Sequence, residues 1–238
     1  MMTRLFPVVT LLATALLATA CDRTETRSAN VASTAAKQRA NALVRVVHAV
    51  PSGTTFDLFA GDLVLFDGVG FKAVTPYRAV DSKRYAFALR PAGMTQAKPL
   101  SSNTEDVKDG DFYTAIAMPG DGHGPQLRVV KDHLDSPASG KARLRVVQAG
   151  TDAGKLDVRS ADGTGALFDN LDYQSISDYR DVAPMNGEMQ IVNSGQSSPL
   201  TTTTAHLEAG RFYTLVIVGN ASGPNKIDAF LIEDALTP

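Results

Sequence analysis

The residues that could carry chemistry begin with a histidine and an aspartate that lie close together in the chain. His48 ends an apolar run that starts at Val44, and Asp57 follows across a segment that we predict to be a hairpin. An imidazole beside a carboxylate could act as a general base or supply half of a metal site. Strand alternation places Val44, Val46 and His48 on one face, and Gln148 occupies the related position one hundred residues later. These two facts favour a structural histidine with a local hydrogen-bond partner.

A second candidate is the glycine-rich loop 120–124, which exposes a carboxylate and an imidazole near its tip. Such loops can bind anions, but the phosphate-binding fingerprints need a helix after the glycines. Pro125 and a predicted strand follow here instead, and the related loop 219–224 has no ionisable side chain. We therefore interpret the loop as a strand connection. The ionisable residues of the two candidates form one speculative polar site: His48, Asp57, Asp121 and His123.

Other reactive patterns are missing from the sequence. It contains no G-x-S-x-G elbow and no H-E-x-x-H, and it holds four histidines and one cysteine. Asp109-Gly110-Asp111 begins like a calcium loop, but the later acidic ligand of an EF-hand is absent. We assign no catalytic residue and predict no metal and no cofactor. Lysine and arginine total 23 against 25 acidic residues, which excludes the basic field that nucleic-acid binding needs.

The first twenty residues form a separate unit. Arg4 is their only charged side chain, and the apolar run from Leu5 to Ala18 is too short for a membrane span, which needs roughly 20 residues. The small residues before the sole cysteine resemble a bacterial lipobox, in which a peptidase cuts before a diacylated cysteine. We predict that 1–20 is a lipoprotein signal peptide and that Cys21 is the lipidation site. The alternative is an ordinary secretory signal.

Residues 21–42 are predicted to be a lipidated flexible tether. After Cys21 the segment contains one valine and no leucine, isoleucine or aromatic residue, so it cannot bury enough apolar surface to offset its ordering entropy. The tether would hold the folded part away from a bilayer. We therefore expect the protein in the cell envelope of a bacterium, lipid-anchored to the inner or outer membrane and facing the periplasm or the surface.

A repeat with a period of about one hundred residues organises the rest of the chain. Matches in chain order at offsets of 100 or 102 residues include 44–49 (VRVVHA) with 144–149 (LRVVQA), 110–114 (GDFYT) with 210–214 (GRFYT), and Tyr77 with Tyr179. Such ordered matches indicate a tandem duplication, and we predict one domain at 43–138 and a second at 139–238. Asp57 recurs as Asp157, which suggests a shared structural role such as accepting hydrogen bonds from turn amides.

Within each copy the pattern is that of strands. Short runs rich in Val, Ile, Phe and Tyr are separated by turn formers, and strict alternation is visible at Tyr85, Phe87 and Leu89. Roughly six or seven strands per copy, with turn signals every 8 to 12 residues, predict an all-β fold. We expect two tandem antiparallel β-sandwich domains of immunoglobulin-like or transthyretin-like type.

Several segments resemble a known family. They are Arg45-Val46-Val47-His48-Ala49, Pro51, Asp57-Leu58-Phe59, Gly61, Val74-Thr75-Pro76-Tyr77 and Arg90-Pro91-Ala92-Gly93. In this pattern the chain resembles the domain of unknown function DUF4397 over 43–132 and, more loosely, over 143–234. The resemblance implies a bacterial envelope or secreted protein with tandem domains, and it implies no activity.

The sequence therefore predicts a lipid-anchored cell-envelope protein that acts as a non-catalytic binding, scaffolding or adhesion module. Its expected partners are the membrane, through the lipid anchor, and an envelope protein or a glycan. Two alternatives stay open. One is an envelope enzyme that uses His48 or His123 for proton transfer, and the other is a glycan or small-molecule sensor with a cleft between the two domains.

Overall fold

The computed structural model describes residues 41–51, 54–122, 124–162 and 165–234. The predictions about the signal peptide, Cys21, residues 21–40 of the tether and His123 lie outside the described residues. Within these ranges, no helix is long and apolar enough to cross a membrane.

The described part of each copy forms eight strands. In the first copy they are β1 (Asn41–His48), β2 (Phe56–Ala60), β3 (Leu63–Val69), β4 (Arg78–Asp81), β5 (Lys83–Pro91), β6 (Ser101–Val107), β7 (Phe112–Pro119) and β8 (Pro125–Asp132). In the second copy they are β9 (Ala142–Gln148), β10 (Leu156–Ser160), β11 (Ala166–Leu171), β12 (Arg180–Val182), β13 (Met185–Asn193), β14 (Pro199–Leu207), β15 (Phe212–Val218) and β16 (Asp228–Glu233).

Each copy consists of two four-stranded sheets. The strand orders of the first sheets are β4-β1-β7-β8 and β12-β9-β15-β16, and we call these the inner sheets. The orders of the second sheets are β3-β2-β5-β6 and β11-β10-β13-β14, and we call these the outer sheets. The prediction of an all-β fold of two sandwich-like halves is confirmed.

The inner sheets differ from the antiparallel prediction in one pairing. Strand β1 lies parallel to β7, and β9 lies parallel to β15, whereas the other described ladders are antiparallel. Five strands separate β1 from β7 in the chain. They return the chain to the end of the sheet at which β1 began, so β7 runs in the same direction as β1. A parallel pair needs such a long crossover, and here the outer sheet supplies most of it.

Each sandwich encloses its own apolar core. Along β1 the side chains of Val44 and Val46 join this core, as the alternation predicts, and they pack with Leu58 and Phe87 of the outer sheet. The second core contains the equivalent strand β9 with Leu144. Burial of a large apolar side chain stabilises the fold by about 1.5–3 kcal/mol. The two cores therefore hold the inner and outer sheet of each copy together.

One tyrosine in each copy fixes the turn that precedes β7 or β15, the strands that pair in parallel with β1 and β9. The Tyr113 hydroxyl accepts a hydrogen bond from the Lys108 amide at 3.2 Å, and the Tyr213 hydroxyl accepts one from the Glu208 amide at 3.0 Å. Immunoglobulin-type sandwiches use a tyrosine corner with the same kind of bond to upstream backbone. The repeated GDFYT and GRFYT segments thus have a structural explanation.

A third apolar cluster joins the two copies. The side chains of β1 and β9 that point away from the cores meet there, together with those of their parallel partners. The cluster contains Val47, Ala49, Ile116, Met118, Val147, Ala149, Val216, Val218 and Ile232. The inner sheets therefore pack on each other, and the predicted domain boundary between 138 and 139 lies in the segment 133–141 that connects them.

The strands of the two inner sheets run in the same direction. Equivalent residues lie at the same level, because Val47 and Val147 share the cluster while Arg45 and Arg145 share a charged network below it. The connections at one end of both copies therefore lie together, and we call this the loop end. It comprises the described residues of 49–55, 70–73, 92–100, 120–124, 149–155, 172–175, 194–198 and 219–227. Asn41 and Asp234 lie at the opposite end, as the ladders of β1 and β16 require.

Candidate functional site

His48 is fully buried at the loop end of β1. Its Nδ1 atom accepts a hydrogen bond from the Val50 amide at 3.2 Å, and its Nε2 atom lies 2.9 Å from the Thr54 carbonyl oxygen. Because Nδ1 accepts a bond, we assign the proton to Nε2, which donates it to Thr54. The ring stacks on Phe56 with centroids 4.5 Å apart. Both ring nitrogens of a neutral His48 are therefore satisfied.

Gln148 makes the equivalent contacts in the second copy. Its Oε1 atom accepts a hydrogen bond from the Gly150 amide at 2.6 Å, and its Nε2 atom donates to the Gly154 carbonyl oxygen at 3.5 Å. A glutamine amide and a neutral imidazole both offer a donor and an acceptor. The position therefore needs one donor and one acceptor, and it does not need a group that exchanges protons.

We expect His48→Gln to leave stability near pH 7.5 almost unchanged and to protect the protein in mild acid. Burial lowers the pKa of His48, against an opposing effect of its hydrogen bond to Thr54. The unfolded chain therefore binds a proton more readily than the folded chain. Wild-type stability is fully present above the ordinary histidine pKa of about 6.5 and falls as the pH drops below it. Glutamine does not titrate, so the variant lacks this loss.

Thermal unfolding of wild type and His48→Gln at pH 7.5 and pH 5.0 measures this effect. The variant should lose less of its unfolding temperature between the two pH values than the wild type does. His206→Gln is the matched control, because the His206 side chain is 63% exposed. Equal losses in wild type and His48→Gln would contradict the assignment of a buried neutral imidazole.

Asp57 is buried, and its hydrogen-bond partners are backbone amides and not His48. Its Oδ1 atom accepts a hydrogen bond from the Gly68 amide, and its Oδ2 atom accepts one from the Gly93 amide, both at 2.8 Å. Gly68 lies within β3 at a shift of register against β2, and Gly93 lies in the turn after β5; both have positive φ angles, of 59° and 76°, which glycine adopts without strain. Asp57 therefore ties the end of β3 to the connection after β5.

Asp157 has the same role in the second copy. Its Oδ1 atom accepts hydrogen bonds from the Asn170 amide at 2.9 Å and from the Ser194 hydroxyl at 2.5 Å. Arg159 lies 3.1 Å from the other carboxylate oxygen. Although burial alone would raise the pKa of Asp157, its bonds to Ser194, Asn170 and Arg159 bring it below the usual range. The carboxylate is thus held ionised as an anchor for the end of β11 and the loop after β13.

In each copy an arginine side chain also binds the loop that joins the last two strands of the outer sheet, which is 92–100 in the first copy and 194–198 in the second. The two arginines lie on different strands. Arg90 on β5 donates to the carbonyl oxygens of Thr95 and Ala97 at 2.6 and 2.7 Å, and it covers the ring of Phe59. In the second copy Arg159 occupies the position related to Phe59 and donates to the Gln196 carbonyl oxygen at 3.2 Å. Both loops therefore have a fixed conformation at the loop end.

The loop 120–124 contacts the other copy. The Gln174 side-chain amide donates to Asp121 at 2.9 Å and to the Pro119 carbonyl oxygen at 3.1 Å. The Tyr173 hydroxyl donates to the same carbonyl oxygen at 2.8 Å. His123 lies outside the described residues. The structure therefore gives His48, Asp57 and Asp121 different partners, and it does not bring them together as one polar site.

Sequence reasoning missed a buried charged network between the copies. Arg145 of the second copy lies 2.5 Å from Asp132 of the first, and both side chains are almost inaccessible to solvent. The Tyr77 hydroxyl donates to Asp132 at 2.7 Å, and the Thr114 hydroxyl donates to it as well. Burial raises the pKa of Tyr77, and the negative charge of Asp132 adds to this, so the hydroxyl remains a donor.

The second half of the network repeats the first with the copies exchanged. Arg45 of the first copy forms a salt bridge with Asp234 of the second. The hydroxyls of Tyr179 and Thr214 donate to Asp234, each at 2.8 Å. Burial would lower the pKa of Arg45, but the charge of Asp234 and its other anionic neighbours raise it. Both buried arginines therefore stay charged and paired.

The threonine and tyrosine side chains hold each arginine in place. Arg45 donates through Nε to Thr114 at 3.0 Å, and Arg145 donates through Nε to Thr214 at 2.9 Å. Each guanidinium also lies over the tyrosine ring of its own copy, 4.8 and 4.7 Å from the centroids. Stacking and a planar set of donors favour arginine over lysine at such positions. One signal in the sequence could have revealed the charged network, since an arginine recurs at equivalent places inside the apolar strands β1 and β9.

A cleft of about 370 Å³ lies between the copies at the loop end. Lys72 of the first copy, which has a positive φ of 63°, reaches across to Asp228 of the second at 2.5 Å. The Asn225 side-chain amide donates to the Pro51 carbonyl oxygen of the first copy at 2.9 Å. The cleft is lined by Phe71, Lys72, Thr201, Val218, Gly219, Asn225, Lys226, Ile227 and Asp228.

The part of the chain that the structure describes has no group of three or more His, Cys, Asp or Glu side chains that could hold a metal ion. Its buried ionisable side chains at the copy interface are already paired with each other. The surfaces that can contact a ligand include the loop end, with its cleft, the exposed faces of the outer sheets, and the opposite end, where clefts of about 340 and 520 Å³ lie.

Comparison with protein families gives one assignment. The family model of DUF4397, described as a domain of unknown function, matches residues 42–159 and 160–238. The resemblance to tandem DUF4397 domains is thereby confirmed, although the two matched segments meet at the end of β10 and not between the two copies. No curated protein sequence matches the chain.

Solved structures give distant similarities. The C-terminal domain of AlgF from P. aeruginosa is 21% identical, with 40% of this chain and 98% of that chain covered and a TM-score of 0.31. A crystal structure described as a putative cell adhesion protein from Bacteroides eggerthii is 9% identical, with coverages of 81% and 95% and a TM-score of 0.20. The Bacillus anthracis TIE protein is 10% identical, with coverages of 82% and 44% and a TM-score of 0.23. At these TM-scores the similarities carry no functional assignment.

Proposed function

The chain belongs to the DUF4397 family of domains of unknown function, and from this premise we propose that it is a lipid-anchored binding module of the bacterial cell envelope. In this proposal Cys21 carries the lipid, and residues 21–40 act as a tether, since Asn41 and Ala42 of the predicted tether belong to β1. The loop end binds an envelope macromolecule without covalent chemistry. The partner is a protein or a glycan of the envelope.

The observation that carries the proposal is the placement of the loop end. The connections of both copies gather at the end opposite Asn41, where the chain enters the first sandwich. A tether attached at Asn41 leaves this end free to point away from the anchoring membrane. Loops held by a rigid scaffold are the usual place for binding residues.

The locked interface between the copies supports the same proposal. Two buried salt bridges and a shared apolar cluster fix the loops of one copy relative to those of the other. Two linked contact surfaces raise the apparent affinity for a large partner through effective concentration. Fixed geometry also reduces the entropy that is lost on binding.

The buried state of His48 does not support the alternative of an envelope enzyme. Its two nitrogens bind Val50 and Thr54, and solvent cannot reach the ring. A general base must lie within hydrogen-bond reach of the proton that it removes. A proton-transfer role for His48 would therefore require the loop 49–55 to open first.

A specific observation favours a second candidate, the sensor of a glycan or small molecule. The cleft between the copies has room for a ligand of a few rings and offers amide, ammonium and carboxylate groups from Asn225, Lys226 and Asp228. Lys226→Ala should abolish such binding and leave the copy interface intact, and Asn225→Ala should abolish it while removing one bond between the copies, from Asn225 to Pro51. Isothermal titration with purified envelope glycans tests this candidate, and unchanged binding by both variants would exclude the cleft.

Site-specific photocrosslinking in intact cells tests the proposed binding surface. A photoreactive residue at Gln96 or Ser198, both exposed at the loop end, should capture a partner of defined mass. Asp109 and Ala209 are matched controls, since they are exposed at equivalent places on the opposite end. Capture that is equal at the two ends, or stronger at Asp109 and Ala209, would contradict the loop end as the binding surface.

The anchor has its own test. Metabolic labelling with a fatty-acid analogue should mark the wild type and fail to mark Cys21→Ala, because the only thiol of the chain is removed. Fractionation of the same cells should then release the variant from the membrane. If both proteins carry the label to the same extent, the lipidation site is not Cys21.

A further inference from the structure

The interface between the copies has the geometry of a two-fold dimer interface. Each copy contributes one arginine and one aspartate, and each arginine pairs with the aspartate of the other copy. Thr114 and Thr214 occupy equivalent places in the two halves of the network. An interface in which the same patch is used on both partners is isologous, which is how homodimers close.

Such an interface is satisfied by any first copy that meets a second copy. The contacts do not depend on whether the two copies belong to one chain. The copies are joined only by 133–141, which lies at one end of the interface and leaves its centre free of chain crossings. This segment is held by surface bonds, from Ala138 to Asp181 and from Arg143 to Asp135, which water can replace.

We propose that two chains pair with each other by exchanging their second copies across this interface. In the exchanged dimer the first copy of each chain packs on the second copy of its partner, and every buried charge keeps its ion pair. The cost is the loss of the intramolecular connection, which acts as a high effective concentration. Exchange is therefore favoured where chains are crowded or fold close together.

The apolar side chains of the interface favour exchange over pairing of two identical copies. The first copy presents Ile116 and Met118, and the second presents the smaller Val216 and Val218 at the equivalent places. Two first copies would bring four large side chains together, whereas two second copies would leave space. Packed interfaces tolerate neither overpacking nor voids. In a dimer, the occupant of the first-copy face is thus a second copy and not another first copy.

Complementary charge variants of the full chain test the proposal. In one chain, Arg145→Asp places the new carboxylate against that of Asp132. In another chain, Asp132→Arg places the new guanidinium against that of Arg145. When the two variants are refolded together, exchange restores opposite charges at every position. Native mass spectrometry should show a heterodimer at least tenfold more abundant than either homodimer, and its unfolding temperature should exceed that of either variant alone.

The double variant Asp132→Arg/Arg145→Asp in a single chain is the matched control, since it shows whether the inverted pair fits the interface. If it folds as a monomer and the mixed variants give no heterodimer, the proposal is overturned. Wild-type chains in light and heavy isotopic forms provide a second measurement that needs no substitution. Refolded together at rising concentration, they should yield a dimer of intermediate mass, and its absence at the highest concentration overturns the proposal whatever the variants do.

Discussion

Replacing Asp132 by asparagine is expected to lower the free energy of unfolding by about 3–5 kcal/mol. The amide can still accept a hydrogen bond from Tyr77 or Thr114, but it no longer neutralises Arg145, which is buried. A buried charge without a partner costs several kcal/mol because neither water nor an anion solvates it. Because the network joins the two copies, both should lose stability together.

Urea unfolding followed by linear extrapolation measures this loss. The double variant Asp132→Asn/Arg145→Met should recover most of it, since removal of both charges leaves no unpaired ion. Asp172→Asn is the matched control, because its partner Lys155 is 54% exposed and surface pairs contribute about 0–1 kcal/mol. Equal effects of Asp132→Asn and Asp172→Asn would show that the network does not hold the copies together.

Asp57→Ala is expected to lower the free energy of unfolding by about 3 kcal/mol, since hydrogen bonds to a charged group contribute about 1.5–3 kcal/mol each. The substitution removes the acceptor of the Gly68 and Gly93 amides at once. The end of β3 and the loop after β5 should then open before the cores unfold. Amide hydrogen exchange at Gly68 and Gly93 should therefore become faster than at residues of β2.

Asp57→Asn separates charge from hydrogen bonding at the same position. Asparagine can accept from only one of the two glycine amides, because its other terminal atom is a donor. Its loss of stability should lie between those of wild type and Asp57→Ala. An alanine variant as stable as wild type would show that water satisfies both amides and that the carboxylate is not an anchor.

The repeat and the sandwich class could be predicted because they depend on patterns that a linear sequence preserves. Matches such as Tyr77 with Tyr179 reveal a duplication without any knowledge of contacts. Alternation at Tyr85, Phe87 and Leu89 reveals a strand with one buried face, and these three side chains are buried. The parallel pairing of β1 with β7 could not be predicted, since it depends on the end at which the chain returns.

The interface between the copies could not be predicted from local patterns either. Val47 and Ile116 point away from their own core, so alternation alone would place them in solvent. The partner of Arg45 lies 189 residues away, and nothing near Arg45 in the sequence identifies Asp234. Only the recurrence of an arginine in both apolar strands hints that this face is covered.

The candidate polar site shows a similar limit. His48 and Asp57 are nine positions apart, which is compatible with a hairpin contact, yet β1 and β2 belong to different sheets. His48 faces Val50 and Thr54, and Asp57 faces the end of β3 and the turn after β5. The interpretation of His48 as a structural residue agrees with these contacts, and Gln148 was the informative signal because it keeps a donor and an acceptor but no titratable group.

The reciprocal salt bridges also set a waiting time during synthesis. Asp132 completes the first copy, but the partner of Arg45 is residue 234, which the ribosome adds 102 residues later. At about 5–20 residues per second, the first copy stands with its charged face uncovered for roughly 5–20 s. Folded domains form far faster than this. Chains exported in close succession would therefore present several uncovered first copies at once, each able to receive the next second copy that emerges.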